Sequence, residues 1–245
     1  MVHFFGQFGL IPMHEPFLSN HGQVEWWHHP SIVQHFCEFN LDSYRDELFD
    51  SLGVYFPDTV KKSVVKRRAE FLAGRYCSLK ALGMIGEFPD FIPVGKQREP
   101  VWPEGVLGAI SHTTACATTV VTNDPDIKGL GIDIENLVNT ETMEKICSHI
   151  MPLEAGDILE QDGLTQEEAF TLIFSLKESF FKAAYPQVKR YFDFNAVKVL
   201  SFDVIRQEIE FEVAEDLCPS IQPGMKVDGY YHKFSPEKWA TLVCI

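Results

Sequence analysis

The segment Thr165–Ala184 is apolar around most of its circumference when it is wound as a helix. Thr165 followed by Glu168 forms a capping box, which predicts where this helix begins, and Pro186 predicts where it ends. The remaining polar residues form one narrow stripe of Thr171, Ser175, Glu178, Ser179 and Lys182. A helix that is apolar almost all round is buried, so we expect the stripe to line a site. An ordinary surface ion pair between Glu178 and Lys182 is the alternative interpretation.

Two carboxylates lie close together in a second segment, Gly131-Ile132-Asp133-Ile134-Glu135. On a strand, Asp133 and Glu135 point to the same face because one residue separates them. Their repulsion is relieved if a divalent cation binds between them, and ligation by oxygen alone favours Mg²⁺ or Mn²⁺. A strand end with solvated carboxylates is the alternative interpretation of so short a pattern.

Basic residues are concentrated in a predicted helix over 58–82, which Gly83 would terminate. They are Lys61, Lys62, Lys66, Arg67, Arg68 and Arg75. The chain carries a formal net charge of -14, which argues against a nucleic-acid-binding protein but permits a small anionic ligand. The pattern therefore favours an anion-binding helix, with a solvated charged face as the alternative.

Alternating segments of the chain predict its strands and its fold class. Before Glu135, the predicted strands are 23–28, 32–39, 106–110, 115–122 and the Asp133 segment, with a loop over 89–105. A helix over 140–150 follows, and strands at 192–202, 208–213, 226–231 and 239–244 predict an antiparallel meander after the apolar helix. Both halves, 1–125 and 126–245, contain a long helix beside antiparallel strands, so the predicted class is α+β.

No targeting or membrane-spanning segment is predicted from the sequence. With 245 residues and 45% hydrophobic content, the chain can bury a substantial core. No apolar run approaches 18 residues, and Met1–Phe5 lacks the basic region and cleavage site of a signal peptide. We therefore expect a cytoplasmic protein without a membrane span.

Five motifs, taken in order, resemble those of the 4'-phosphopantetheinyl transferases. They are Lys66-Arg67-Arg68-Ala69-Glu70-Phe71-Leu72-Ala73-Gly74-Arg75, Arg98-Glu99-Pro100-Val101-Trp102-Pro103, Ile110-Ser111-His112, Gly131-Ile132-Asp133-Ile134-Glu135 and Phe174-Ser175-Leu176-Lys177-Glu178-Ser179. Within that family, the chain is most similar to the larger, single-chain group of the enterobactin synthase component D type. The resemblance covers about Lys61 to Ala184.

The resemblance implies a fold of two similar α+β halves related by a pseudo-two-fold, with the site at their junction. It implies transfer of the phosphopantetheine arm of coenzyme A to a serine of an apo-acyl or peptidyl carrier protein, which leaves adenosine 3',5'-bisphosphate. The expected cofactor is Mg²⁺, with Mn²⁺ as a substitute, and we expect a monomer. Which pathway the carrier serves, siderophore, polyketide or fatty acid synthesis, stays open.

The resemblance also assigns roles to individual residues. Asp133, Glu135 and Glu178 would hold the metal, and Glu178 and Lys182 would be catalytic. The residues that would bind coenzyme A are Arg67, Arg75, Lys96, Arg98, Ser111 and His112. Family members often have a lysine just before the loop glycine, where this chain has Val94, so Lys96 and Arg98 are the candidates to replace it.

Displacement at the pyrophosphate needs charge neutralisation and a group that takes the serine proton. Glu178, or a metal-bound water that it orients, is the candidate base.

Two other classes of protein would share these features. One is a Mg²⁺-dependent phosphohydrolase acting on a nucleotide-like substrate, and the other is a coenzyme A binder without catalytic activity.

Overall fold

The computed structural model describes residues 17–26, 28–154, 156–161 and 163–245. Met1–Phe5 lies outside the described residues. So does Trp27, which belongs to the predicted strand 23–28. The strands are β1 Leu18–Glu25, β2 Val33–Phe39, β3 Leu107–His112, β4 Cys116–Thr122, β5 Leu130–Asn136, β6 Val197–Asp203, β7 Glu208–Val213, β8 Lys226–Ser235 and β9 Lys238–Cys244. The α-helices are α1 Leu48–Ser51, α2 Asp58–Lys61, α3 Val65–Met84, α4 Thr140–Ile150 and α5 Gln166–Val188.

The N-terminal half is a four-stranded antiparallel sheet in the order β1-β2-β4-β3, with α3 packed against its centre. The buried side of α3 carries small and aliphatic residues, such as Ala69, Leu72 and Ala73, that pack with Phe49 and Ala117.

The C-terminal half is a five-stranded antiparallel sheet in the order β5-β9-β8-β7-β6, and α5 packs across β5 and β9. The predicted meander of the last four strands is confirmed, and β5 pairs with its final strand. Phe170, Leu176 and Phe180 of α5 are fully buried against Phe211. The predicted α+β class is therefore confirmed, while the pseudo-two-fold relation stays a prediction.

The two halves meet where β3 of the first sheet lies beside β5 of the second. A buried apolar cluster joins Trp26, Ala109 and Val120 to Ile132 and Leu242 across this junction. On its other side β5 touches α5 almost backbone to backbone. A Cβ atom at Gly131 would lie 1.9 Å from the carbonyl oxygen of Ser179, so only glycine fits at this contact.

The predicted helix over 58–82 is wrong in its continuity and in its end. Val64 is extended, with φ -63° and ψ 155°, and it separates α2 from α3. The helix passes through Gly83 and ends after Met84. The turn that follows is made at Gly86, whose φ of 84° belongs to the left-handed region that glycine adopts without strain.

The prediction that Pro186 ends the apolar helix is also wrong. Helix α5 continues to Val188 and ends at Lys189, whose φ is 54°. Pro186 lies in the last turn, where the loss of one backbone donor does not prevent the final residues from remaining helical.

The predicted strand 192–202 begins later, at Val197, because Phe194–Ala196 form a 3₁₀ turn that the Asp193 side chain caps. In the described part of the chain, no helix combines the length and the apolar character that crossing a membrane requires.

Candidate active site

Asp133 lies at the centre of the junction, on β5, and is only 4% exposed. Its Oδ1 atom accepts hydrogen bonds from Lys182 Nζ and Ser111 Oγ, each at 2.8 Å. Lys182 also donates to the Ile132 carbonyl at 3.0 Å. Asp133 Oδ2 is buried and has no hydrogen-bond partner among the described residues. One carboxylate oxygen is therefore held firmly while the other is left for a ligand.

Glu135 and Glu178 lie in the electrostatic neighbourhood of Asp133. The pKa of Glu135 is raised to about 8, by burial first and then by the Asp133 charge, while the Lys182 charge opposes the shift. The pKa of Glu178 is also raised, by burial first and by Asp133 to a smaller extent, again against Lys182. The predicted set of Asp133, Glu135, Glu178 and Lys182 is thus brought together between β5 and α5.

The carboxylates do not form a finished cage for a metal. Within the described ranges, no three His, Cys, Asp or Glu side chains converge as ligands of one ion would. Mg²⁺ in proteins is commonly held by one or two carboxylates, with substrate phosphates and waters completing its shell. The free Oδ2 of Asp133 and the raised pKa of Glu135 fit a cation bound in that way.

Arg75 projects from α3 and is 7% exposed, with its guanidinium carbon 4.8 Å from the centre of the Phe71 ring. Among the described residues, its Nε atom has no hydrogen-bond partner and no carboxylate lies within ion-pair distance of its guanidinium. Burial lowers the pKa of Arg75 to about 10, and the Arg67 charge contributes. A buried guanidinium without a counter-ion is costly, so this position is suited to receive an anion.

Arg67 and His112 meet beside Arg75, as the sequence motifs predict. Arg67 Nη1 donates to His112 Nε2 at 3.2 Å, so this imidazole nitrogen carries a lone pair. The other ring nitrogen lies 3.9 Å from the carboxylate of Glu70, a buried residue of α3. Burial lowers the pKa of His112 to about 4, and the Arg67 and Lys182 charges contribute. The influence of Lys182 links this basic cluster electrostatically to the carboxylates.

Lys96 and Arg98, the other two predicted ligands of coenzyme A, lie on an exposed loop closed by the bridge between Val94 and Pro100. Arg98 adopts a left-handed φ of 69°. Neither side chain forms a hydrogen bond or ion pair with a described residue, and their role as ligands stays a prediction.

The prediction that the whole polar stripe of α5 lines the site is wrong for three of its residues. Ser175 Oγ lies 2.9 Å from Thr241 Oγ1, and Ser179 Oγ donates to the Thr241 carbonyl at 2.9 Å. Thr171 Oγ1 accepts from Val138 N. These hydroxyl groups attach α5 to β9 and to the segment that follows β5, because buried polar groups next to a sheet must find partners.

Two functional neighbours were not predicted from sequence patterns. Lys177 and Glu154 form an ion pair of 2.8 Å whose side chains are 1% and 0% exposed. Lys177 Nζ also donates to the carbonyls of Ile150 and Phe194, and Glu154 accepts from Val199 N. A lysine on the apolar side of a buried helix, directly before Glu178, was the available signal. The pair holds three chain segments against the helix beside Glu178, and removal of either partner would leave an uncompensated buried charge.

An open groove and a narrow cavity differ in their suitability for an anionic ligand. An open groove of about 840 Å³ over the outer face of β6–β8 is lined by carboxylates, which would repel a phosphate. A narrow cavity of about 70 Å³ adjoins Glu178 and has aromatic walls that include Phe181, Tyr191 and Phe194. The larger groove is therefore the less suitable site for a phosphate, although it offers more space.

Comparison with known proteins gives matches that together span both halves. The sequence model described as "4'-phosphopantetheinyl transferase N-terminal domain" matches residues 57–122. The model described as "4'-phosphopantetheinyl transferase superfamily" matches residues 129–234. These ranges include every predicted site residue.

Individual relatives agree with these matches. Enterobactin synthase component D of Salmonella typhimurium is 34% identical over 168 residues, which cover 68% of this chain and 68% of the relative. Enterobactin synthase component D of an Escherichia coli strain is 35% identical over 150 residues, or 61% and 69% of the two chains. The 4'-phosphopantetheinyl transferase Svp of Streptomyces mobaraensis is 30% identical over 212 residues, or 83% and 82%.

Proposed function

The chain belongs to the 4'-phosphopantetheinyl transferase superfamily, and we propose that it moves the phosphopantetheine arm of coenzyme A to a carrier-protein serine in a metal-dependent reaction. The observation that carries this proposal is the pairing of two unsatisfied buried groups at one junction. In the part of the chain that the structure describes, Asp133 Oδ2 has no hydrogen-bond partner and Arg75 has no counter-ion. A ligand with both a metal-binding pyrophosphate and a separate phosphate would satisfy both groups.

Asp133, Glu135 and Glu178 are the residues that would hold the metal, one or two of them directly, with substrate phosphates and waters completing the shell. Carboxylate oxygens are the ligands that Mg²⁺ and Mn²⁺ prefer. Burial is the main cause that raises the pKa of Glu135 to about 8, and the charges of Asp133 and Glu178 add to it, so a bound cation would offset both effects. When bound, the metal would supply charge neutralisation for the pyrophosphate.

The residues of the chain supply the proton transfer. The serine oxygen forms a bond to the β-phosphorus of coenzyme A while the bond from that phosphorus to the bridging oxygen breaks. Adenosine 3',5'-bisphosphate leaves with the bridging oxygen. Glu178 accepts the serine proton, and burial raises its pKa, which is the direction that makes a carboxylate a stronger base. Lys182 holds Asp133 in place and adds positive charge next to the reacting phosphates.

Arg75, Arg67 and His112 are the proposed ligands of the nucleotide end of coenzyme A. The arginines suit a terminal phosphate monoester because a guanidinium donates two parallel hydrogen bonds to it. Neutral His112 can contribute a ring nitrogen beside them. Lys96 and Arg98 lie on an exposed loop, and we propose them only as outer contacts of the same ligand.

Replacing Arg75 with alanine should weaken coenzyme A binding by about 1.5–3 kcal/mol, the loss of a hydrogen bond to a charged group. Dephospho-coenzyme A, which lacks the 3'-phosphate, should lose little affinity. Isothermal titration calorimetry with both ligands measures the difference. Arg68→Ala is the matched control, because the Arg68 guanidinium is already bound to both oxygens of Asp46 at 2.8 and 2.6 Å. Equal losses for the two ligands in Arg75→Ala would show that this arginine contacts another part of coenzyme A.

The transfer itself is tested by incubating the protein with coenzyme A and a panel of apo-carriers from siderophore, polyketide and fatty acid synthesis. A modified carrier gains about 340 Da, the mass of the arm, by mass spectrometry. A phosphohydrolase would degrade the nucleotide without this gain, and a passive binder would change neither partner. No gain on any carrier would reject the proposal, and the carrier that reacts fastest would identify the pathway.

That the protein acts as a cytoplasmic monomer remains a prediction.

A further inference from the structure

The two oxygens of the Asp133 carboxylate have very different surroundings. Oδ1 accepts from two donors, Lys182 Nζ and Ser111 Oγ, at 2.8 Å each. Oδ2 is buried and has no hydrogen-bond partner within the described ranges. A carboxylate can turn about its Cβ–Cγ bond, so donors on one oxygen determine where the other oxygen points.

Ser111 reaches Asp133 from the opposite half of the molecule. It lies near the end of β3 and is 6% exposed. Its single hydroxyl proton is donated to Asp133 Oδ1, and its oxygen accepts from the backbone N–H of Ile134 at 3.3 Å. The hydroxyl group is therefore fixed between the side chain and the backbone of β5, and its one proton is not available for a second acceptor.

We propose that Ser111 is a positioning residue for the metal ligand Asp133, and not a ligand of coenzyme A. It holds Oδ1 so that Oδ2 faces the cation. Lys182 alone would do this poorly, because its long side chain is flexible, whereas a short serine on a paired strand has little freedom. This inference rests on the metal site proposed above.

The neighbour of Ser111 strengthens the reasoning. Successive residues of a strand point to opposite faces, and His112 accordingly contacts Arg67 of α3 on the other side. The last two residues of β3 thus support two different subsites. His112 faces the nucleotide side, and Ser111 faces the metal side.

The test compares metal binding with coenzyme A binding in Ser111→Ala. Free Mn²⁺ is measured by electron paramagnetic resonance at saturating coenzyme A, and coenzyme A affinity is measured by calorimetry in excess chelator. Residues that orient a metal ligand typically account for 10–100-fold in metal affinity, so we expect a loss of about 10-fold or more for Mn²⁺. Coenzyme A affinity in chelator should stay within about 2-fold, because the residue does not touch that ligand.

Ser78→Ala is the matched control, because it removes another buried serine hydroxyl, which pairs with Gly74 and Thr119 away from the carboxylates. It should leave both affinities unchanged. An unchanged Mn²⁺ affinity in Ser111→Ala, an equal loss in Ser78→Ala, or a loss confined to coenzyme A would each overturn the inference.

Asp133→Asn separates this inference from the proposed function. If Asp133→Asn loses Mn²⁺ binding and Ser111→Ala does not, only the positioning role fails. If Asp133→Asn also binds Mn²⁺ with the affinity of the wild type, the proposal that Asp133 is a metal ligand is wrong, and the inference fails with it.

Discussion

Replacing Glu178 with glutamine should lower the rate of carrier modification by at least about 100-fold at saturating coenzyme A and Mg²⁺. Glutamine has the size and hydrogen-bonding capacity of glutamate, but it carries no charge and cannot accept the serine proton. Loss of a general base typically costs 10²–10⁴-fold, and a weakened metal site would add to this. The rate is measured from the mass of the carrier over time.

The same substitution should leave the fold intact. Burial and the Asp133 charge raise the pKa of Glu178, so its ionised form is disfavoured in the folded protein. A carboxylate with a raised folded pKa costs stability as the pH rises above its unfolded value of about 4.3. Without metal, the melting temperature of Glu178→Gln should therefore be unchanged or slightly raised, and the gain should be larger near pH 8 than near pH 5.

Glu167→Gln is the matched control on the same helix. Glu167 accepts a hydrogen bond from Thr140 in an exposed position, and glutamine keeps an acceptor there. It should retain the rate of the wild type. A Glu178→Gln protein that melts at a much lower temperature, or that modifies carrier at the normal rate, would show that Glu178 is a structural residue of the helix.

Local patterns were sufficient to predict the parts of the site that depend on one element. The spacing of Asp133 and Glu135 requires only that β5 be a strand, and the capping box at Thr165 is formed as predicted. The positions of Glu178 and Lys182 follow from the helical period once that helix is known to be buried.

Other features could not be read from the sequence because their partners are distant in the chain. Ser111 and Asp133 are 22 residues apart and belong to different sheets, so only the packing of β3 beside β5 brings them together. Likewise Ser175 and Ser179 bond to Thr241, which lies 66 and 62 residues further on. The period of the helix identified their stripe correctly but could not distinguish a sheet from a ligand opposite it.

Burial explains the remaining differences between prediction and structure. Arg75 belongs to a row of basic residues that resembles a solvated face, yet it is 7% exposed and lies against Phe71. Lys177 lies outside the polar stripe of its helix, and its partner Glu154, with which it forms a buried ion pair, could not be identified from the sequence. In both cases the polar group is buried by elements that are remote in sequence, and tertiary packing decides its role.

Removal of divalent metal should abolish transfer, because Asp133 and Glu135 would then face the pyrophosphate without a cation between like charges. Activity should return when Mg²⁺ or Mn²⁺ is added in excess of the chelator. Dependence on both ions is expected from ligation by oxygen alone. An inactive chelated protein that still binds coenzyme A through Arg75 would separate loss of chemistry from loss of substrate.

The most direct measurement follows one apo-carrier and coenzyme A with the wild-type protein in excess chelator, and again after Mg²⁺ is restored. Mass spectrometry records the gain of about 340 Da on the carrier, and chromatography records the released nucleotide. We predict no gain in chelator, and after restoration a gain matched mole for mole by adenosine 3',5'-bisphosphate. Undiminished carrier modification in excess chelator would contradict the metal-dependent site formed by Asp133, Glu135 and Glu178.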